Sequence, residues 1–357
     1  MIANLLLLLY FEFISLNIFI IYPTIYLLNL FDKKLKKIYI NSYFIGLVFI
    51  INWIYDVKLY VKNQDFIKNM FDKYQNNKHN DKYENKNNKN IFIQNHQTEF
   101  DFIIIMMVLS HYPEYIHNIL FRFIMTEKVY YFFPGIGLGN ILAGGSIITN
   151  NKNKNINRLN NMKLSEYESF FIFPEGFLSH KENKIKSDLY CNNNGYNIFP
   201  YTLYPKSTGI EILTKNNKID YLYTLSVHYN NLKHFEKAYR IYNTEIPKTI
   251  FLEINKEKLD YDKDLCINDL CLKDLCIKDL CIKDIVLNSF KKINESFDKK
   301  DYTNFMITNK NYTQLLCFII HMCIFCFINY LFICNHIFFY LFLLNLFLYY
   351  FYIIFFI

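Results

Sequence analysis

The sequence predicts an α/β protein, a mostly parallel sheet flanked by helices, with membrane helices at its N and C termini. Three observations lead there. Apolar runs short enough for strands (Ile91 to Gln94, Ser169 to Phe173, Ile210 to Thr214, Tyr221 to Tyr229) are separated by helical or looped segments of the lengths that join strands of such a sheet. Two of these runs end in polar motifs, Asn95-His96 and Pro174-Glu175-Gly176, and parallel sheets bind ligands beyond the carboxyl ends of their strands. Lastly, 52% of the 357 residues are hydrophobic and 19% aromatic, with much of that content at the two chain ends, in runs long enough to span a bilayer.

From the N terminus, residues 2 to 31 carry Glu12 as their single charge and have no small-residue cleavage site, so they read as a membrane helix rather than a leader. Lys33, Lys34, Lys36 and Lys37 follow. A second apolar segment, Ile38 to Tyr55, contains Asn41, Asn52 and Trp53 and could either span or lie in the interface. Lysines flank it on both sides, which leaves orientation open. Residues 72 to 90 have almost no apolar groups to offset the entropy of ordering them and read as a flexible insert. Thr98, with Asp101 three residues later ahead of an apolar run, forms a capping-box pattern that starts a helix at Thr98.

Ile116 to Met125 reads as a helix or a strand, and Asn151 to Asn161 as another polar insert. Residues 264 to 285 repeat a five-residue Asp-Leu-Cys unit, a period of neither helix nor strand, best explained as a tolerated sequence expansion. Leu315 to Ile357 has the length of two spans and reads as a hairpin of membrane helices, with one long tilted helix as the alternative. The resulting division is 1–57 membrane segments, 58–90 polar linker, 91–260 globular domain, 261–314 repeat-containing linker and 315–357 membrane hairpin.

Composition narrows the function classes. The formal charge of +7 suits a membrane surface or a phosphate-bearing substrate, and without an arginine-rich stripe there is little to suggest nucleic acid. Four of the nine cysteines recur every five residues and four lie in the C-terminal apolar stretch, so they do not form a secreted disulfide framework. Residues 58 to 314 lack membrane-length apolar runs, which disfavours a channel or transporter. Spacing among His, Cys and carboxylates suggests no metal. Gly135, Gly137 and Gly139 lack the strand, turn and helix context of a dinucleotide fingerprint.

The chemistry centres on His96 and Asp101. In one regular helix they would point about 140° apart, so they meet only if His96 lies in the loop before the helix. A neutral imidazole has the pKa of a general base near neutral pH, and a carboxylate on its other nitrogen fixes the tautomer and stabilises the imidazolium. Such a pair can take the proton of an attacking hydroxyl without an enzyme nucleophile.

Asn95-His96, four residues, Asp101 resembles the first motif of the glycerolipid acyltransferase family. Lys128 with Pro134-Gly135-Ile136-Gly137 resembles its second block, and Phe173-Pro174-Glu175-Gly176 its third, which is associated with the acceptor lipid. Asn194-Gly195-Tyr196 and the run Tyr201 to Gly209 are similar to the branch holding lysophosphatidate and lysocardiolipin acyltransferases. The resemblance covers about residues 91 to 232.

It implies acyl-CoA as co-substrate, no cofactor, a lysophospholipid acceptor at a bilayer, most simply 1-acylglycerol 3-phosphate, and an integral membrane location in the endoplasmic reticulum. It also implies His96 as base, Asp101 as its orienting partner, and Asn95, Glu175, Gly176, Lys128, Gly137 and Lys206 as substrate-binding residues. Other lysophospholipids, or a lipid-binding protein without activity, are the alternatives. Relatives often carry arginine where this chain has Asn150 and Leu178. Arginine is the preferred bidentate phosphate ligand, so the phosphate falls to other cations, Lys206 first.

Overall fold

The computed structural model describes residues 33–63, 65, 69, 89–99, 101–112, 119–127, 137, 140–141, 143–165, 168–230, 248–259, 271–299, 306–308, 312–320 and 323. Its centre is an eight-stranded sheet of β1 (Lys58–Lys62), β2 (Asn90–Gln94), β3 (Leu120–Thr126), β4 (Ser146–Ile148), β5 (Glu168–Ile172), β6 (Tyr221–Tyr229), β7 (Thr249–Lys258) and β8 (Met306–Thr308), in the order β4-β3-β5-β2-β6-β7-β1-β8. The five strands β4, β3, β5, β2 and β6 run parallel. Two antiparallel pairings, β6 with β7 and β1 with β8, complete a mixed sheet. Lys58–Lys62 and Met306–Thr308, placed in linkers by the sequence reading, are thus strands of the same sheet.

Strand alternation divides the core into two layers. Phe92, Phe121, Phe171 and Tyr223 point to one face, where α1 (Lys33–Tyr55) and α2 (Asp101–Leu109) cover them; Phe92 stacks between Phe171 and Tyr223. Ile91, Ile93, Phe170 and Leu222 point to the other, beneath α5 (Thr208–Asn217) and α6 (Cys271–Lys299). Two further helices among the described residues are α3 (Lys152–Asn161) and α4 (Lys181–Asn194).

Several expectations are corrected. Ile210 to Thr214 is helical, within α5: Ile210, Leu213 and Thr214 are buried at helical spacing, a pattern that a five-residue window does not separate from a strand. Asn151 to Asn161 is not an unstructured insert, because Asn151 caps α3 by accepting from Lys154 N at 3.0 Å and Leu159 anchors it to the core. The repeat is helical from Cys271 onward, while 264–270 lie outside the described residues.

The largest correction concerns the membrane. Among the described residues no helix is long and apolar enough to cross one, against the expected terminal membrane helices and the integral endoplasmic reticulum location that depended on them. The second apolar segment, within α1, instead fills the protein's own core, with Phe44 set against Phe102 and Phe123. Its asparagines are structural: Asn41 Nδ2 donates to Ile119 O at 2.6 Å and Asn52 Nδ2 to Gln314 Oε1 at 3.0 Å. A helix apolar on most sides satisfies a protein core as well as a bilayer, so composition alone did not distinguish them. The start of the C-terminal run behaves likewise, with Phe318 stacked on Phe49 and Cys317 buried. Residues 2–31, most of the 72–90 insert and 324–357 lie outside the described residues.

Candidate active site

Parallel pairing of β2 with β5 and β6 brings three carboxyl ends to one edge of the sheet. From β2 the chain runs into Asn95 and His96, from β5 into Phe173 to Gly176, and β6 ends at Tyr229. Asn95 continues β2 by side chain: its Nδ2 donates to Val227 O at 2.9 Å and its Oδ1 accepts from Val227 N at 2.8 Å. Both ends of the amide are therefore used on β6, and Asn95 fixes the loop rather than facing a substrate.

Asp101, fully buried at the first turn of α2, gathers the loop around its carboxylate. Oδ2 accepts from Gln97 N at 2.6 Å, Thr98 N at 3.0 Å and His96 Nδ1 at 3.0 Å. Oδ1 accepts from Thr98 Oγ1 at 2.7 Å and from the Tyr229 hydroxyl. The Asp101-to-Thr98 N bond is the reciprocal half of the expected capping box, although the helix begins at Asp101. With every neighbour donating to the carboxylate, Nδ1 carries the hydrogen and Nε2 of His96 is left with its lone pair. Burial, then the Asp101 charge, hold the Tyr229 hydroxyl well above its ordinary pKa, so it remains a donor.

His96 is held on its other sides by the loop after β5. Its N donates to Glu175 Oε1 at 3.0 Å, its O accepts from Ser179 N at 2.8 Å, and its ring stacks on Phe173 at 4.2 Å between centroids. The imidazole keeps 21% exposure, enough for one edge to meet a substrate. Such fixing of rotamer, tautomer and backbone is the preorganisation a general base needs.

Glu175 does not face outward. It is 1% exposed, with Oε2 accepting from Ser179 Oγ at 2.7 Å and Leu203 N at 3.3 Å, so it pins three chain segments together. Burial pushes its carboxyl up to about 8 against the pull of those hydrogen bonds, and Asp101 adds to the rise. Gly176 takes φ +71°, as a glycine closing a tight turn should, and a Cβ there would lie 3.7 Å from Lys206 Nζ. The Lys206 ammonium therefore sits over the turn, 4.7 Å from the centre of the Phe177 ring; partial burial lowers its pKa. Its backbone N donates to Pro174 O at 2.8 Å.

Asn95, His96, Asp101, Glu175, Gly176 and Lys206 thus come together. Gly137 is buried in a helical residue position and makes no hydrogen bond to this group among the described residues, and Lys128 lies outside them. Asn150 is exposed at the end of β4, the outermost of the parallel strands. Tyr229 and Ser179 were missed, while Thr98 was read only as the start of a helix. Tyr229 was findable as the last residue of a strand expected to share the sheet, and the Thr98 contact with Asp101 follows from the capping-box pattern, whereas the Ser179 contacts depend on loop geometry that has no sequence signature.

Comparison with known proteins agrees with this geometry. Residues 75–213 match the family model described as Acyltransferase. Lysocardiolipin acyltransferase 1 of Gallus gallus is 24% identical over 182 residues, covering 48% of this chain and 47% of that protein. The chain thus matches about half the length of this curated relative.

Proposed function

From its place in the glycerolipid acyltransferase family, to which this chain belongs, we propose that the protein moves a fatty acyl group from acyl-CoA to the free hydroxyl of a lysophospholipid. The single observation that carries this reading is the His96 Nδ1 to Asp101 Oδ2 contact at 3.0 Å, in a side chain that keeps 21% exposure. His96 Nε2 takes the proton as the acceptor hydroxyl attacks the thioester carbonyl. The tetrahedral intermediate collapses, the carbon–sulfur bond breaks, and the imidazolium returns the proton to the departing thiolate. Asp101 orients and stabilises the charged imidazolium and Tyr229 holds Asp101 in place, while Glu175 and Ser179 position His96 through its backbone.

The proposed acceptor is 1-acylglycerol 3-phosphate, its phosphate met by the Lys206 ammonium. A second reading, lysocardiolipin as acceptor, is favoured by the name of the relative from Gallus gallus. The test is CoA release over a panel of lysophospholipids, wild type beside His96→Ala. Loss of about 10³-fold in turnover is expected, within the range for a general base; undiminished turnover in the mutant would end the mechanism.

A further inference from the structure

Helix α4 is built inside out. At about 100° per residue, Asn183, Ser187 and Cys191 share one face and Lys181, Ile185 and Leu189 the opposite one. The first face points inward: Asn183 Nδ2 donates to Leu178 O at 2.9 Å, Ser187 Oγ accepts from Tyr204 N at 2.8 Å, and Cys191 is buried. The outward face leaves Ile185 52% and Leu189 56% exposed. Exposed Phe177 lies on the approach to the helix and exposed Ile198 beyond its end.

Four lysines (Lys181, Lys184, Lys186, Lys206) stand against two acids (Glu182, Asp188) between residues 177 and 206, and Lys184 pairs with Asp188. Lysine-flanked apolar side chains are typical of helices lying in a membrane interface, whereas lysine is depleted in protein–protein interfaces. The Leu178 and Tyr204 contacts join this helix directly to the Glu175 and Lys206 segments.

We propose that the outward face of α4 docks on an anionic lipid bilayer, laying Ile185 and Leu189 into its interface without crossing it. The inference deepens the lysophospholipid reading, since it seats the site on the surface that holds such an acceptor.

Trp53 is the only tryptophan, so the full-length Trp53→Phe protein can carry a single reporter in its place. In phosphatidylcholine–phosphatidylglycerol vesicles with brominated acyl chains, Leu189→Trp is expected to be quenched and Lys215→Trp, exposed on α5, far less. Omitting phosphatidylglycerol should reduce the Leu189→Trp quenching about fivefold or more, as the loss of roughly one lysine's attraction to the surface implies. No quenching at Leu189→Trp, equal quenching at both positions, or indifference to the anionic lipid would overturn the proposal. Quenching needs no turnover, so it remains readable even if the acyltransfer reading fails.

Discussion

Two helices follow the two site motifs, and they treat their apolar residues in opposite ways. Helix α2, after Asn95-His96 on β2, buries all nine of its residues, Asp101 to Leu109. Helix α4, after Phe173 to Gly176 on the neighbouring β5, buries Cys191 alone. The first gives Asp101 an immovable base; the second leaves its loop tied by polar contacts and its aliphatic side chains facing out. The proposed base and its orienting carboxylate thus sit at the start of a core helix, and the proposed acceptor side of the site lies beside a surface.

Asp101→Asn tests the core side hardest. An amide donates where the carboxylate only accepted, which misaligns His96, and turnover should fall about 10³-fold. Restored turnover at any pH would show that the orienting role is misassigned. Ile104→Ala, in the middle of α2, should cost about 2–5 kcal/mol in a chemical denaturation experiment, against no more than about 0.5 kcal/mol for Leu189→Ala. Comparable losses at the two positions would erase the distinction between the helices.

Glu175 links the two sides and makes their union pH-dependent. Its carboxyl titrates at about 8 when folded and near 4.5 when free. Unfolding therefore releases a proton between those values. The stabilisation is full below about pH 4.5 and is lost as pH rises through about 8. In Glu175→Gln the fall in melting temperature across that window should flatten; a slope equal to the wild type would place the titration elsewhere. The smallest effect on chemistry is expected at Lys206→Met, with KM for a phosphate-bearing lysolipid up about tenfold, kcat nearly kept, and little change for an acceptor without phosphate.

Three of the five parallel strands, β2, β5 and β6, and the His96–Asp101 pair were legible in the sequence because each leaves a local trace: apolar runs of strand length, and a loop residue set before a helix start; β3 was left between helix and strand and the three-residue β4 was not read. Tyr221 to Tyr229 was read at its observed limits. The role of Asn95 was not legible, since an asparagine bonded to a strand and one facing a substrate have the same neighbours in sequence. Glu175 was expected among the substrate-binding residues because its motif resembles the family's third block, and only the fold reveals donors from His96, Ser179 and Leu203 closing over it. Helix α1 was misread because a buried helix and a spanning one draw on the same residues.

The amide clasp of Asn95 on Val227 also bears on when the site comes into being. That contact joins residues 132 apart, the Tyr229 hydroxyl reaches Asp101 across 128, and His96 N meets Glu175 across 79. Contacts of such separation must meet the loop-closure entropy of nearly the whole domain before they return any stabilisation, which slows folding. During synthesis the His96 loop therefore emerges well ahead of β6, and a nascent chain carries its base long before it can aim it.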